Sequence, residues 1–550
     1  MKTLLLFFIL FFSLTVSSQV APNKYYIEFT DKNNNNFSLE RPEEFLSERS
    51  LQRRANQNIE LDLSDLPVTQ IYIDSLESLG LEVINVSKWF NSATIYTLDS
   101  LLMDTINYLG FVSNSAKYKP IQTNKVAVPE SYKIPREIKT GSKNTNYYNY
   151  GTSADQIYMH NGQVMHNNGF RGQGMLIAVT DAGYLGLPDL PAFDSLFEAE
   201  RVISTRNFVH GGDIVFGYST HGMRVLSILA GNSPENLIGS APEANYLLIM
   251  SEDPDSENII EEINWISAAE YADSMGADII NVSLGYLDFD MPEYNHSYQT
   301  MDGKTAIISI AAGIASSKGM IIVASAANSG DDPIHPWINS PGDADNILTA
   351  GAVWSNQAYA AFSSIGPSYD GRVKPDIVAM GAGTTNQELD GSFGQGNGTS
   401  FSSPILSGLV ACLWQQFPDK TNQEIMDAIR KSSHLYNSPT DYLGYGIPDF
   451  VLAGKILISE DNYIPENKFN IYPNPFNNDF IIDLKTNPGD SIQVIINDIS
   501  GKNNYIWLEY KAKESSTKIT IDDLNKLKSG IYIVNVIINT SRYSEKLIKK

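Results

Sequence analysis

Gly398-Thr399-Ser400-Phe401-Ser402-Ser403-Pro404 runs straight into the apolar stretch Ile405-Leu406-Ser407-Gly408-Leu409-Val410-Ala411-Cys412-Leu413-Trp414. The pattern reads as a glycine-led turn that delivers one serine to the first turn of a buried helix. Such a helix start has unsatisfied backbone N–H groups and the positive end of the dipole. A hydroxyl placed there has donors at hand for an oxyanion, as a nucleophile needs. The same residues also suit a Ser/Thr cap on a core helix, so the motif means little without partners.

The partners lie upstream. A serine nucleophile requires a base to take its proton and a carboxylate to hold that base in one tautomer. His221, in Ser219-Thr220-His221-Gly222-Met223, opens an apolar helical pattern that runs to Gly231. Asp181 ends the apolar strand Met175 to Thr180. The order Asp181, His221, Ser400 is one of the three chain orders in which serine triads occur. Ile322-Val323-Ala324-Ser325-Ala326-Ala327-Asn328-Ser329-Gly330 places an amide just past a strand. Asn328 can there donate to an oxyanion together with the Ser400 backbone N–H.

From about residue 151, strands alternate with helices. Asn245–Met250, 277–283 and 320–325 are apolar strands, and Ile259 to Met275 and Thr305 to Gly319 have helical spacing. Strands buried on both faces and separated by helices predict an α/β domain with a mostly parallel sheet and helices on both faces. Functional groups in such sheets collect at the carboxyl ends of strands, where Asp181, Ser283 and Asn328 fall.

At this point the stretch 151–455 resembles the subtilisin-like serine proteases. Asp181-Ala182-Gly183 is similar to that family's Asp-Ser/Thr-Gly motif, His221-Gly222 to its His-Gly-Thr motif, and Gly398 to Pro404 to its Gly-Thr-Ser-Met-Ala-x-Pro motif. The resemblance implies Asp181, His221 and Ser400 as triad and Asn328 as oxyanion donor. It implies Ser283, Leu284 and Gly285 as the segment that pairs with a peptide substrate, with Ser325 and Ala326 also at the substrate. Phe362 to Pro367 and Lys374 to Ala379 resemble further family segments. Three positions depart from the pattern: Ala182 for a hydroxyl residue, Met223 for Thr, and Ala327 for Gly. None removes a catalytic group.

The flanks extend the reading. Met1-Lys2-Thr3, an apolar run to Phe12 and Val16-Ser17-Ser18 form a signal-peptide pattern, with 1–18 removed on export. Residues 19–118 read as a small α+β domain resembling the inhibitory propeptides of these proteases. Residues 119–150 read as an exposed linker suited to maturation cleavage. The peptidase domain is expected over 151–460. The last segment, 461–550, has short alternating strands and reads as a β-sandwich. Tyr472-Pro473-Asn474-Pro475, Asp498-Ile499-Ser500-Gly501-Lys502 and Ser529-Gly530-Ile531-Tyr532-Ile533 resemble the C-terminal sorting domains of type IX secretion.

Charge and cysteine content narrow the partners. Of 39 basic and 63 acidic residues, 12 and 37 fall between 151 and 464, so the acidity is concentrated in the central domain. That excludes nucleic acid as a partner. A single cysteine, Cys412, rules out an intrachain disulfide and reads as a core residue. No cofactor is implied. Structural calcium, common in the family, is compatible with the acidic groups, although no stretch has the spacing of a calcium loop. The expectation is a secreted or cell-surface serine endopeptidase made as a zymogen, acting on proteins or peptides, inhibited by its own propeptide and recognised by the secretion machinery. The alternatives are a non-catalytic binding protein on the same fold and an esterase using the same triad.

Overall fold

The computed structural model describes residues 19–113, 146–461, 469–498, 504–522, 524–538 and 541–550. The signal peptide 1–18, residues 119–145 of the linker and Ile499 to Lys502 of the tail motif lie outside the described residues. The chain divides into two compact units, 1–457 and 458–550.

The first unit begins with a four-stranded antiparallel sheet of β1 (Gln19–Ala21), β2 (Lys24–Glu28), β3 (Glu82–Ser87) and β4 (Ser92–Tyr96), in the order β1-β2-β4-β3. Three helices, α1 (Glu48–Asn56), α2 (Gln70–Ser78) and a short one over Leu102–Ile106, complete this small α+β domain. Ser47 caps α1 by accepting from the Ser50 N–H at 3.1 Å.

The rest of the unit is built on seven parallel strands: β5 (Leu176–Asp181), β6 (Val202–Asn207), β7 (Asn245–Met250), β8 (Ile279–Val282), β9 (Ile321–Ser325), β10 (Leu348–Val353) and β11 (Ile377–Met380). Their order is β11-β10-β9-β8-β5-β7-β6, and every pairing in the sheet is parallel. Alternate residues feed two separate cores. Ile177 and Val179 pack with α3 (His221–Ala230) and α6 (Thr399–Gln416), while Leu176 and Ala178 pack with α4 (Ile260–Met275) and α5 (Ile307–Ser317). Each buried Ile, Val or Leu contributes about 1.5–3 kcal/mol, so the central strands are the most firmly held part of the molecule. A further helix, α7 (Asn422–Ser432), starts with a reciprocal capping box between Thr421 and Glu424.

The small N-terminal domain is joined to α4 by buried charge. Asp273 on α4, fully buried, pairs with Arg53, with Arg54 at 2.9 Å and with Lys88 Nζ at 2.9 Å. The Glu270 carboxylate accepts from Ser87 Oγ at 2.5 Å and from the Lys88 and Trp89 N–H groups at 2.7 and 2.9 Å. Val20, Ala21 and Trp89 join the apolar core formed with α4 and α5. The two domains therefore share both an ionic cluster and a hydrophobic one.

The second unit has two antiparallel sheets. One holds β12 (Phe469–Tyr472), β13 (Phe480–Lys485) and β16 (Ser516–Ile521). The other holds β14 (Ser491–Asp498), β15 (Asn504–Lys511), β17 (Gly530–Ile538) and β18 (Ser541–Lys549), in the order β15-β14-β17-β18. Residues of both sheets, including Ile482, Val494, Ile519 and Val534, share one core.

Candidate active site

Asp181 is the last residue of β5, flanked by β7 and β8, and is 1% exposed. A carboxylate so buried needs partners. Its Oδ1 accepts from the Ala182 N–H at 2.8 Å, and the His221 Nδ1 donates to Oδ1 at 2.8 Å and lies 3.0 Å from Oδ2. His221 is the first residue of α3. The close approach of that helix depends on Gly222: a Cβ there would lie 2.5 Å from the Gly183 carbonyl oxygen and 2.9 Å from the Asp181 Cβ. The contact explains a glycine directly after the histidine. The imidazole stacks on the Phe401 ring, centroids 6.1 Å apart. Burial alone would lower its pKa, but the charge and hydrogen bond of Asp181, helped by Glu252, raise it above the ordinary imidazole value.

Ser400 is the second residue of α6. Pro404 sits four residues on and has no N–H, so the Ser400 carbonyl loses its helical donor. The Ser283 hydroxyl replaces it at 3.0 Å. Ser283 Oγ in turn bonds Ser403 Oγ at 3.0 Å and accepts from Asn281 Nδ2 at 2.9 Å, tying β8 to the first turn of α6.

Asn328 Oδ1 accepts from the Thr399 N–H at 2.8 Å and the Thr399 hydroxyl at 3.0 Å. The space in front of Gly398 is where the polar groups meet. A Cβ on Gly398 would lie 2.8 Å from Ser400 Oγ and 3.7 Å from both Asn328 Nδ2 and the Ser400 N. A hydroxyl and two N–H donors thus surround one small volume that a side chain at 398 would fill. The loop carrying Asn328 is held by Phe362-Ser363-Ser364: the Ser364 N–H donates to Ala327 C=O at 3.0 Å, and Ser364 Oγ accepts from the Ser329 N–H at 3.0 Å. Among the described residues no hydrogen bond links His221 to Ser400, a contact that often tightens only when substrate binds.

The remaining sequence-chosen residues separate into two kinds. Gly285 is half-buried, and its backbone neither donates nor accepts a hydrogen bond among the described residues. Leu284, 7% exposed, accepts from Ser325 Oγ at 3.2 Å through its carbonyl. Ala326 donates to Ala350 C=O at 3.0 Å and is fully buried. Ser283, Ser325 and Ala326 therefore spend their groups holding the strand ends together, while Gly285 keeps backbone groups open.

Residues 172–447 match the Subtilase family. The chain belongs to that family. Residues 24–133 match the peptidase S8 propeptide domain of Bacteroidota, and residues 470–550 match a secretion-system C-terminal sorting domain, which marks the chain for export. Subtilisin NAT of Bacillus subtilis subsp. natto is 27% identical over 287 residues, 52% of this chain and 66% of that protein. The thermophilic serine proteinase of Bacillus sp. (strain AK1) is 28% identical over 276 residues, 50% of this chain and 60% of that protein. The matched stretch thus spans somewhat less than two thirds of these relatives. Among solved structures, the MycP3 protease from the type VII (ESX-3) secretion system is 21% identical with a TM-score of 0.44, covering 56% of this chain and 88% of that one. No helix among the described residues is long and apolar enough to cross a membrane.

Three contributors to this subtilase site escaped the sequence reading. Phe401, Thr399 and Glu252 each act on a predicted residue, through ring stacking, amide orientation and charge respectively. Phe401 and Thr399 flank the serine in the quoted motif, so adjacency was a usable signal. Glu252 follows a strand end beside Asp181, which only the strand order reveals.

Proposed function

We propose that this subtilase is an exported serine endopeptidase synthesised as a zymogen. The observation that carries the reading is the convergence of Ser400 Oγ, the Ser400 N–H and Asn328 Nδ2 on the space before Gly398, beside a histidine held by a buried aspartate. Ser400 Oγ attacks the scissile carbonyl and passes its proton to His221 Nε2. Asp181 holds His221 with Nδ1 as donor and stabilises the imidazolium that forms. The Ser400 N–H and Asn328 Nδ2 receive the oxyanion. His221 then protonates the leaving amine, and water, deprotonated by the same imidazole, releases the acyl group. The open backbone of Gly285 suits pairing with an extended peptide, which favours a peptide over a simple ester.

The N-terminal domain, seated on α4 and α5 through Asp273 and Trp89, acts in this reading as the inhibitory propeptide until the chain is cut within 119–150. The C-terminal unit is read as the type IX sorting signal that carries the enzyme to the cell surface or the medium. Fluorophosphonate labelling tests the chemistry. The secreted protein should label at Ser400, the Ser400→Ala variant should not, and mass spectrometry of the two should show whether the cut in 119–150 is autocatalytic. Absence of labelling in the processed protein would overturn the reading.

A further inference from the structure

The stretch Asn146 to Thr152 overlaps the end of the expected linker, yet it is bound to the peptidase domain from one end to the other. Asn146 Nδ2 donates to the Tyr158 hydroxyl at 2.7 Å, and the Tyr147 N–H donates to Asn167 Oδ1 at 2.7 Å. The Asn149 carbonyl accepts from the Glu235 N–H at 3.0 Å, and the Thr152 N–H donates to the Asn236 carbonyl at 3.1 Å. Between them Gly151 forms an antiparallel bridge with Leu237. Its φ is +53°, and a Cβ there would lie 2.1 Å from the Glu235 carbonyl oxygen, so only glycine allows this approach.

Three tyrosines add side-chain anchors. The Arg171 guanidinium lies over the Tyr147 ring, 4.2 Å from its centroid. The Tyr148 hydroxyl donates to Glu243 Oε1 at 2.9 Å, and Arg171 Nε donates to the same oxygen at 2.6 Å. Consecutive tyrosines thus grip one ion pair. Tyr150 is 1% exposed, and its hydroxyl lies 2.8 Å from His166 Nδ1. Burial lowers His166 to about 4, so the ring is neutral. Its Nε2 donates to the Ser240 carbonyl at 3.0 Å, which leaves Nδ1 to accept from Tyr150. Ser240 Oγ in turn donates to the carbonyl of Pro404, on the helix that carries Ser400. The stretch is therefore continuous with the support of α6. On the far side of the expected linker, the N-terminal domain is closed by the Ser113 N–H, which donates to the Glu28 carbonyl at 2.8 Å.

A protease binds several residues around the scissile bond in extended form, with their backbone groups free to pair. Asn146 to Thr152 can offer that only after its contacts open locally. We propose that Asn146 to Thr152 is a strap that stays with the mature enzyme and sets its N-terminus: processing removes chain as far as Asn146 and goes no further. The inference rests on the zymogen reading, which supplies the cut to be limited, and it narrows the window of 119–150 to the part before the strap.

An inactive chain tests the strap separately from that reading. Full-length Ser400→Ala protein, which lacks the proposed nucleophile, is treated with a trace of added chymotrypsin, and the products are followed by intact mass. Chymotrypsin prefers large apolar and aromatic residues, and the sequence offers it Tyr118 and Tyr132 before the strap and Tyr147, Tyr148 and Tyr150 within it. The expected result is cutting after Tyr118 and Tyr132, with the three strap tyrosines cut roughly tenfold more slowly or less. Arg171→Ala should raise cutting after Tyr147 and Tyr148 by roughly tenfold, the scale of a lost charge-assisted contact, while Arg171→Lys should stay within about threefold of the parent. Tyr148→Phe, which keeps the chymotrypsin site and loses only the bond to Glu243, should raise it by about threefold. Thermal melts confirm that each variant is folded, and Tyr148→Phe carries the test if Arg171→Ala does not fold. Equal cutting or equal resistance at all five tyrosines, or strap cutting unchanged in the folded variants, would overturn the inference. So would secreted wild-type enzyme that begins at Tyr148 or later, and that result would leave the endopeptidase reading intact. A secreted wild-type chain that is never cut would overturn the zymogen reading, while the chymotrypsin pattern still decides the strap.

Discussion

Asn328 Oδ1 accepts both the backbone N–H and the hydroxyl of Thr399, at 2.8 and 3.0 Å, so the amide cannot turn over without losing two hydrogen bonds. Its Nδ2 is thereby committed to the side facing Ser400. A donor aimed where charge appears only in the tetrahedral intermediate stabilises the transition state more than the ground state. Loss of the corresponding asparagine in subtilisin, a relative of this chain, costs roughly 10²–10³ in kcat. Asn328→Ala is expected to fall by that order with little change in KM. Asn328→Asp keeps acceptors for Thr399 but sets a negative charge against the oxyanion, and should be at least as damaging. Active-site titration alongside the kinetics checks this: a titrated kcat within about twofold of wild type would remove the oxyanion role.

The second prediction concerns pH. His221 works as a base only when neutral, so activity is lost as pH falls through its pKa. Burial opposes the charged form, yet the Asp181 charge and hydrogen bond raise the value overall. The acid limb of kcat/KM should therefore lie above the ordinary imidazole value of about 6.5. Asp181→Asn removes the raising influence and frees the ring to choose the wrong tautomer. The limb should move down, and kcat should drop by about 10⁴, the cost of such a change in another serine protease triad. A pH–rate profile in which the limb stays fixed would mean that another group controls it.

The third prediction concerns the N-terminal domain. Asp273 is surrounded by Arg53, Arg54 and Lys88, all buried. Asp273→Asn leaves three cations sharing a site with reduced compensation, a change of about 3–5 kcal/mol for a broken buried pair. The cleaved N-terminal domain should dissociate roughly 10²-fold or more too readily, measured by size exclusion of the nicked Ser400→Ala protein. Because Asp273 is held below the carboxylate range, the contact it supplies is complete at neutral pH and is lost only as pH falls through that depressed value. Mild acid at about pH 5 should leave this part of the interface intact. Adding Arg53→Met to Asp273→Asn should recover part of the loss, since Asp273 is the carboxylate that pairs with Arg53 among the described residues, whereas Arg54 keeps Asp65 at 2.8 Å.

How much of this was legible beforehand varied with burial. β5, β7, β8 and β9 announce themselves as apolar runs because both faces are covered. β6 does not: at the sheet edge, Val202-Ile203-Ser204-Thr205-Arg206-Asn207 is largely half-exposed and reads as polar loop. β10 is fully buried, but Leu348-Thr349-Ala350-Gly351-Ala352-Val353 is rich in small residues with little strand preference. The site shows the same division. Asp181, His221, Ser400 and Asn328 could be picked out because each stands at the end or start of a patterned element. Which atoms of 283–285 and 325–326 face a substrate could not, because that depends on contacts between distant strands, such as Ser283 replacing the donor that Pro404 lacks. Glu252 was hidden for a related reason: its neighbour Asp181 is 71 positions away and becomes adjacent only through the pairing of β5 with β7.

The last prediction turns on Ala327. Its φ is +81°, in the left-handed region where an L side chain crowds the following carbonyl. A non-glycine residue there costs roughly 1–2 kcal/mol. The Ser364 N–H to Ala327 C=O bond and the Asn328–Thr399 pair hold the segment in place despite that cost. Ala327→Gly removes the steric term but gives the unfolded chain extra freedom worth about 0.4–1 kcal/mol. The difference favours the variant by roughly 0.5–1 kcal/mol. Ala327→Val, with a branched Cβ at positive φ, should be destabilised by more than the alanine cost of about 1–2 kcal/mol and should displace Asn328. Both are best measured as shifts in urea midpoint on the Ser400→Ala background, where autolysis cannot distort the unfolding curve. In active enzyme, Ala327→Gly should leave titrated kcat within about twofold, because Thr399 still orients the amide, whereas Ala327→Val should lower it towards the Asn328→Ala value of roughly 10²–10³ below wild type. A glycine variant less stable than wild type would show that the loop is relaxed at alanine and that the left-handed turn costs the molecule nothing.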